Sequence, residues 1–292
     1  MPASRPGSKT LRRVVTGLVA AAFALGGAAA ATPPRHIMSI NLCTDDLLLD
    51  LVPPDRIASV TYMARSPSYS YLQAEAARVP INHALAEEVL AENPDLVLAG
   101  TYTGMATRLL IKKVGTRLVD VPPANTFDEI RAATRLVAHA VGEDARGEEL
   151  IGRMGAKLQA LAMTKPKYTI RVAAWDGAGG VPGRGTLFDA ILTAAGGINI
   201  ASASGEADAR FGIERLLIAR PDVLLYGAGE RTTPALRTDA DQHPILLHTF
   251  GARRITYPEV LYGCGAPESA DAAMALRASL LHAMHAPMGA RQ

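Results

Sequence analysis

The sequence predicts an α/β fold in which two halves are joined by one long helical segment. Short apolar segments, typical of buried parallel strands, alternate with helical segments in both halves of the chain. Between the halves, residues 127–163 keep apolar residues at helical spacing and are interrupted only near Gly142. A pattern of helix, Pro-Asp turn and apolar strand occurs once in each half, which indicates that the two halves share one architecture.

The first half opens with a short apolar strand. A helix follows, which we expect Thr44 to cap and Pro53-Pro54 to end. Aliphatic runs farther along predict buried strands that alternate with helices. We therefore expect strands at 36–40, 57–61, 95–99 and 117–121, and further helices at 84–92 and 108–114.

The joining segment and the second half follow the same reasoning. Apolar residues recur at helical spacing through residues 127–141, and a second helix is expected over residues 145–163. Alternation of strands and helices then resumes. We expect strands at 170–175, 222–226 and 253–257, and helices at 187–195, 213–219 and 270–284.

The internal repeat relates residues 87–98 to residues 214–225. Each copy begins with a glutamate in a helix, Glu87 or Glu214, and each glutamate precedes a Pro-Asp pair by seven positions. A fully apolar strand follows in both copies. This arrangement could reflect only a common helix-to-strand turn, but the length of the match favours two lobes of similar build.

Composition and charge exclude several classes of protein. Hydrophobic residues make up 49% of the 292 residues, which is too high for an intrinsically disordered chain. The chain has only 2 cysteines, so it is not a small protein held together by disulfides. A net charge of +2 provides no basic surface for nucleic acid, and we expect no such partner.

Residues 1–31 have the layout of a cleavable signal peptide. A basic start is followed by an apolar run and an alanine-rich end, and the apolar run is too short to span a bilayer. The segment carries four basic residues and no acidic one, so the remaining chain has a slight excess of negative charge. No cysteine precedes Cys43, so no lipidation site is expected. We therefore predict a soluble mature protein in the periplasm.

Two segments resemble the periplasmic binding proteins for iron chelates and vitamin B12 that serve ATP-driven (ABC) importers, the class III type with a helical hinge. Residues 87–98 are similar to the signature of that family's first lobe, and residues 185–200 are similar to its second-lobe helix that ends in Gly-Gly-x-Asn. The order of elements fits from His36 to about His285. The resemblance implies two Rossmann-like lobes, joined by a long rigid helix, with the ligand held in a cleft between them. It places the N-terminal lobe at 32–125, the linking helical segment at 126–165 and the C-terminal lobe at 166–292.

The same resemblance implies a transport protein rather than an enzyme. The implied ligand is a metal chelate, with a ferric siderophore-type complex favoured and cobalamin or haem as alternatives. No covalently bound cofactor and no metal site of the protein's own are expected, and the chain is expected to act as a monomer. The implied partner is the membrane permease, which Glu87 and Glu214 would contact; Glu88 is an alternative to Glu87. Without the resemblance, each glutamate is simply an acidic residue favoured in the first turn of a helix.

Candidate ligand-binding residues lie in loops that follow the predicted strands, where open α/β sheets bind ligands. Flat aromatic faces suit a large chelate or corrin ring, and arginines can pair with carboxylates or chelate oxygens. An ordinary packing role or a solvated surface position is the alternative for each of them. The candidates are Tyr62, Arg65, Tyr102, Trp175, Arg184, Tyr226 and Tyr262.

Cysteines and histidines leave further alternatives open. The periplasm would permit a disulfide between Cys43 and Cys264, but these residues fall in different predicted lobes, which argues against the bond; two free thiols near the cleft are the alternative. The histidines show no metal-binding spacing, and most are expected at the surface or at helix caps. Haem would need a tyrosine or a histidine as its axial ligand.

A different class of function is an exported α/β enzyme. No Gly-x-Ser-x-Gly motif, catalytic metal cluster or paired-carboxylate signature supports that alternative. A sensor or interaction module with a vestigial cleft is a third alternative.

Overall fold

Two parallel β-sheets, one from each half of the chain, form the framework of the protein. The structure is a computed structural model that describes residues 32–101, 103–176, 180–205, 208–227 and 242–285. The predicted signal peptide at 1–31 lies outside the described residues. Within the described ranges, no helix is both long enough and apolar enough to cross a membrane.

The first sheet has five strands in the order β3-β2-β1-β4-β5, and every pair is parallel. Its central strands are fully buried, which explains their largely apolar sequences. The strands are β1 (Ile37–Ser39), β2 (Ile57–Thr61), β3 (Ile81–Asn82), β4 (Leu96–Gly100) and β5 (Leu118–Val121). The helices of this half are α1 (Leu42–Leu51), α2 (Gln73–Ala76), α3 (Ala86–Glu92) and α4 (Met105–Lys113).

The second sheet has four parallel strands in the order β11-β10-β6-β8, and β7 and β9 form a separate antiparallel pair. Its strands are β6 (Ile170–Ala174), β7 (Gly180–Pro182), β8 (Gly197–Asn199), β9 (Asp208–Arg210), β10 (Val223–Gly227) and β11 (Arg254–Tyr257). The helices are α7 (Leu187–Ala194), α8 (Ile213–Ala219), α9 (Pro244–Phe250) and α10 (Ser269–His285).

Two helices connect the halves, α5 (Phe127–Val141) and α6 (Asp144–Met163). The predicted interruption is present, since α5 ends at Gly142 with a φ of 77°, in the left-handed region that favours glycine. Arg146 at the start of α6 donates a hydrogen bond to the main chain of α1 at 3.2 Å. At the other end, buried Arg277 of α10 donates to the carbonyl oxygens of Leu161 and Thr164 at 3.1 and 2.7 Å. Helix α6 is therefore fastened to both halves.

The hydrophobic core is continuous between the two halves. One cluster runs from the first sheet through α5 and α6 to the second sheet and α10, and the described residues from Pro33 onward pack as one unit. Because close-packed interiors resist deformation, this core limits how far the halves can move apart.

The internal repeat corresponds to the same local structure in both halves. Helices α3 and α8 end at Asn93 and Arg220, both in the left-handed conformation, with φ values of 47° and 48°. The carboxylate of Asp95 then accepts hydrogen bonds from two main-chain N–H groups directly before β1, at 2.8 and 3.1 Å. Asp222 accepts one from the main chain of β6 at 2.9 Å. The Pro-Asp pair thus aligns a strand with its neighbour in each sheet, β4 with β1 and β10 with β6.

Each predicted strand and helix is present within a few residues of its expected position, but the predicted cap of α1 is wrong. Asn41 is the cap, and its side chain accepts a hydrogen bond from the main-chain N–H of Cys43 at 3.0 Å. Thr44 lies inside the first turn, where it is buried and donates to the carbonyl oxygen of Asn41 at 2.9 Å. The sequence analysis did not predict the short elements β3, β7, β8, β9, α2 and α9.

Candidate ligand-binding site

The carboxyl ends of the parallel strands define the candidate site in each half. Tyr62 follows β2 and His83 follows β3 in the first half, while Trp175 follows β6 and Tyr257 ends β11 in the second half. Ligands of open α/β sheets bind outside these strand ends. We call the half built on the first sheet the first lobe and the half built on the second sheet the second lobe. The cleft is the space at the carboxyl ends of their strands.

Trp175 forms a buried wall of the second lobe. Its side chain is only 3% exposed, and its indole N–H donates to the carbonyl oxygen of Phe211 at 2.9 Å. A cavity of about 150 Å³ lies beside it, lined also by Gly227, Tyr257 and Glu259. The indole is held in one orientation and shapes the cavity rather than projecting into solvent.

Three aromatic rings pack together at the cleft side of the second lobe. The ring centroids of Tyr257 and Tyr262 are 4.7 Å apart with an edge-on arrangement, and Phe188 lies 5.7 and 5.9 Å from them. Burial raises the pKa of Tyr262 well above its usual value, so its phenol stays neutral. These rings form a rigid apolar surface with polar hydroxyl groups attached.

Tyr226, another predicted ligand contact, is enclosed in the second lobe. It is 1% exposed, and the guanidinium of Arg254 lies 4.8 Å from the centre of its ring. Arg254 Nε also donates to the Tyr226 hydroxyl at 3.3 Å. The structure therefore gives Tyr226 a packing partner within the lobe.

On the first lobe, Tyr62 and His83 form an exposed stacked pair. Their ring centroids are 5.4 Å apart with an angle of 27° between the planes, and Tyr62 is 52% exposed. His83 Nδ1 lies 2.9 Å from Glu88 Oε1. Glu88 also accepts hydrogen bonds from the main-chain N–H groups of His83 and Leu85 at 2.8 and 3.1 Å. Burial acts to raise the pKa of Glu88, but these hydrogen bonds outweigh it and the pKa lies below its usual value.

The predicted arginines differ in their surroundings. The guanidinium of Arg65 donates to the carbonyl oxygens of Ala76 and Val79 at 3.2 and 2.6 Å, so it fastens the loop between β2 and β3. Arg184 is exposed in the loop that precedes α7. Tyr102, a further predicted contact, lies outside the described residues.

A disulfide joins the two lobes. Cys43 of α1 is bonded to Cys264, which precedes α10, and their Cα atoms are 5.1 Å apart. The alternative of two free thiols is therefore wrong in this structure, and so is the argument that lobe position excludes the bond. The segment around Cys264 leaves the second lobe and packs on the first: a Cβ added at Gly265 would lie 2.1 Å from the carbonyl oxygen of Ala124.

Buried carboxyl groups lie in α1, the helix that also carries Cys43. The Tyr71 hydroxyl is 3.0 Å from Asp50 Oδ2 and 2.9 Å from Glu268 Oε2, so it links the two lobes. Burial raises the pKa of Asp45, Asp46 and Asp50 to about 7, and the charge of Glu268 adds to the effect at Asp46 and Asp50. One phenolic proton cannot be donated to both carboxylates at once, in agreement with the raised pKa of Asp50.

The repeated glutamates occupy equivalent surface positions. Glu87 and Glu214 are exposed in the first turns of α3 and α8, and neither has a hydrogen bond or ion pair within the described part of the chain. Glu88 is engaged by His83 instead. In the described ranges, no group of three or more His, Cys, Asp or Glu side chains could hold a metal ion.

Sequence reasoning missed the pairing of His83 with Glu88. A usable signal was present, because Glu88 occupies the third position of α3, where a carboxylate reaches back to the residues that precede the helix. His83 lies five residues earlier, within reach of that carboxylate.

Comparisons with known proteins agree with this architecture. The family model described as "Periplasmic binding protein" matches residues 37–249. A search of curated protein sequences finds no match. The solved structure of the periplasmic haem-binding protein RhuT from Roseiflexus sp. RS-1, in its apo form, is 24% identical with a TM-score of 0.71, and the alignment covers 85% of this chain and 98% of that one.

Two Vibrio cholerae structures are also similar. The periplasmic haem-binding protein HutB is 18% identical with a TM-score of 0.72, over 84% of this chain and 98% of that one. The periplasmic vitamin B12 binding protein BtuF is 17% identical with a TM-score of 0.66, over 87% of this chain and 99% of that one. At these identities, the structural likeness shows a shared fold.

Proposed function

Because the chain belongs to the periplasmic binding protein family, we propose that it captures a metal chelate and delivers it to the permease of an ABC importer. The observation that carries this proposal is the pair of parallel sheets with aromatic residues at their carboxyl ends, in a fold shared with haem-binding and vitamin B12-binding proteins. Family members bind and transport substrates, and we expect no catalysis by this chain.

The proposed ligand is an iron complex. Two of the similar structures are named for haem binding. The sequence resemblance to periplasmic binding proteins also favours an iron chelate. Cobalamin is the second candidate, because BtuF shares the fold over nearly its whole length. A large planar or compact chelate would bury much apolar area against rigid aromatic rings, at a small cost in side-chain entropy.

The proposed contacts come from both lobes. Tyr62 offers an exposed ring on the first lobe, while Trp175 and Tyr262 line the second. Exposed Arg184 is available to pair with acidic groups of a chelate. We assign Arg65 to loop structure, because its guanidinium already donates to main-chain carbonyls.

Docking to the permease is assigned to Glu87 and Glu214. Exposed charges at two separate points steer association and fix orientation, and both carboxylates are available for an arginine of a partner. We expect the mature chain to be a monomer that presents one glutamate from each lobe.

Uptake by cells tests this assignment. In cells that lack this chain, wild-type protein restores uptake of a labelled iron chelate, and E87A/E214A is expected to fail while binding the chelate with unchanged affinity. E75A, which removes an exposed glutamate from α2, is the matched control and retains uptake. Normal uptake by E87A/E214A would exclude these residues as the docking pair.

A further inference from the structure

We propose that the cavity between the first lobe and the segment at residues 263–265 binds an uncharged, carbonyl-bearing arm of the chelate. This inference rests on the proposed function and narrows its ligand to chelates that carry amide or hydroxamate groups at their periphery. The cavity has a volume of about 100 Å³. Because a cavity of about 150 Å³ holds one benzene ring, this space suits a smaller group, such as one acetamide arm.

The cavity lies at the carboxyl ends of three neighbouring strands of the first sheet. Asn41 follows β1, Gly100 ends β4 and Val121 ends β5, and all three residues line the space. Gly263 and Gly265 line it from the segment that leaves the second lobe. Residues from both halves of the chain therefore form its walls, as expected for a part of the cleft.

The disulfide holds the 263–265 wall of the cavity in place. Cys264 lies between the two glycines, and its partner Cys43 also lines the space. Tyr262, which packs edge-on against Tyr257, directly precedes this wall, so the wall continues the aromatic surface that is proposed to hold the chelate. Because the bond fixes the wall before a ligand arrives, binding requires little ordering of the main chain.

Asn41 offers a hydrogen-bond donor in a fixed orientation. Its Oδ1 accepts a hydrogen bond from the main-chain N–H of Cys43 at 3.0 Å, so its Nδ2 is the group that remains for a ligand. The amide packs against Gly100, where an added Cβ would lie 2.8 Å from Nδ2. Within the described part of the chain, neither this Nδ2 nor the side-chain amide of Asn125, which also lines the cavity, has a hydrogen-bond partner. Both amides can donate to the carbonyl oxygen of an amide or hydroxamate arm.

The lining of the cavity disfavours arms that carry a charge. Among the described residues, no Asp, Glu, Lys, Arg or His lines the space, while Leu47 and Ala133 add apolar surface. A carboxylate or ammonium arm would lose its hydration there without gaining an opposite charge. An uncharged carbonyl arm exchanges its water for the amides of Asn41 and Asn125 at a small cost. The lining thus favours a neutral ferric trihydroxamate or a corrinoid with amide arms over ferric citrate or haem, which carry carboxylates.

Titration of residues 32–292, the chain without its predicted signal peptide, with chelates of both kinds tests this preference. We expect a neutral ferric trihydroxamate or cyanocobalamin to bind at least about 10-fold more tightly than ferric citrate and haemin, because the carboxylates lose hydration without compensation. Calorimetry measures the affinity for each compound.

Two variants test the cavity itself with the preferred chelate. N41D keeps an acceptor for the Cys43 N–H at the cap of α1, but it removes the donor and adds a negative charge, so affinity should fall at least about 10-fold. N125A removes an exposed amide without a partner in the described ranges, and affinity should fall about 2–10-fold. Q159A, which removes an exposed amide from α6, is the control and should bind as wild type. Thermal unfolding of each variant without ligand checks that its fold is intact.

The outcomes separate this inference from the proposed function. Tighter binding of ferric citrate or haemin than of both uncharged chelates would overturn the role of the cavity and leave chelate capture in place. Unchanged affinity of N41D and N125A for the preferred chelate would overturn it in the same way. Failure to bind any of the four compounds would refute both.

Discussion

Loss of the disulfide between Cys43 and Cys264 is expected to destabilise the protein substantially. The bond closes a loop with a sequence separation of 221 residues. A chain-entropy model assigns such a loop about 5 kcal/mol of stabilisation, and measured disulfides typically give about 2–4 kcal/mol. We therefore expect C43A/C264A to lower the free energy of unfolding by about 4 kcal/mol.

Urea unfolding followed by circular dichroism measures this loss. With a slope of about 3 kcal/mol/M, the midpoint should fall by roughly 1.3 M. Wild-type protein with a thiol reductant is the control, because the reductant breaks the bond without substituting the cysteines. The midpoint of the reduced wild type should approach that of the variant, and the midpoint of the variant should not respond to the reductant. Coincident midpoints for oxidised wild type, reduced wild type and variant would refute the reasoning.

Two further predictions concern the packing at Gly265, beside Cys264, and the buried aspartates of α1. G265A is expected to lower the free energy of unfolding by about 1–3 kcal/mol, measured in urea, because the added Cβ would lie 2.1 Å from the Ala124 carbonyl oxygen. G263A is the control and should behave as wild type, because a Cβ added there has no atom within 4 Å. Equal urea midpoints for the two variants would contradict the close packing at Gly265. The second prediction concerns pH: burial raises the pKa of Asp45, Asp46 and Asp50 to about 7, so the folded state binds more protons than the unfolded state. The stabilisation from these protons is complete below about pH 4 and is lost as the pH rises through 7. The urea midpoint should therefore fall between pH 5 and 8, and D46N should flatten that fall; a midpoint that rises over this range in both proteins would contradict the sign.

The regular elements could be predicted because their signals are local. Buried parallel strands have continuous apolar sequences, and the α5–α6 segment combines helical spacing with a glycine at its one interruption. The repeat predicted matching lobes because Asp95 and Asp222 each accept a hydrogen bond from a main-chain N–H group at the neighbouring strand. Strands of only two or three residues, such as β3 and β8, carry too few side chains to show a pattern.

The contacts between the lobes could not be predicted, because they depend on where distant segments meet. Cys264 reaches Cys43 only because the segment before α10 returns to the first lobe, and no local pattern reports that path. The exposure of a side chain also depends on distant segments. Trp175 follows β6 and Tyr226 lies near the end of β10, as the sequence indicated, yet both side chains are buried. The lobe boundaries at 32–125, 126–165 and 166–292 and the assigned ligand contacts stay predictions.

The most direct test of the central claim is a binding titration of residues 32–292, the chain without its predicted signal peptide, with haemin, a ferric siderophore and cyanocobalamin. Trp175 is the single tryptophan, buried beside the cavity of the second lobe, so its fluorescence reports binding while calorimetry excludes optical artefacts. We predict saturable one-to-one binding of an iron complex in both measurements. Absence of heat and of quenching with all three compounds would contradict the assignment of this chain to metal-chelate capture.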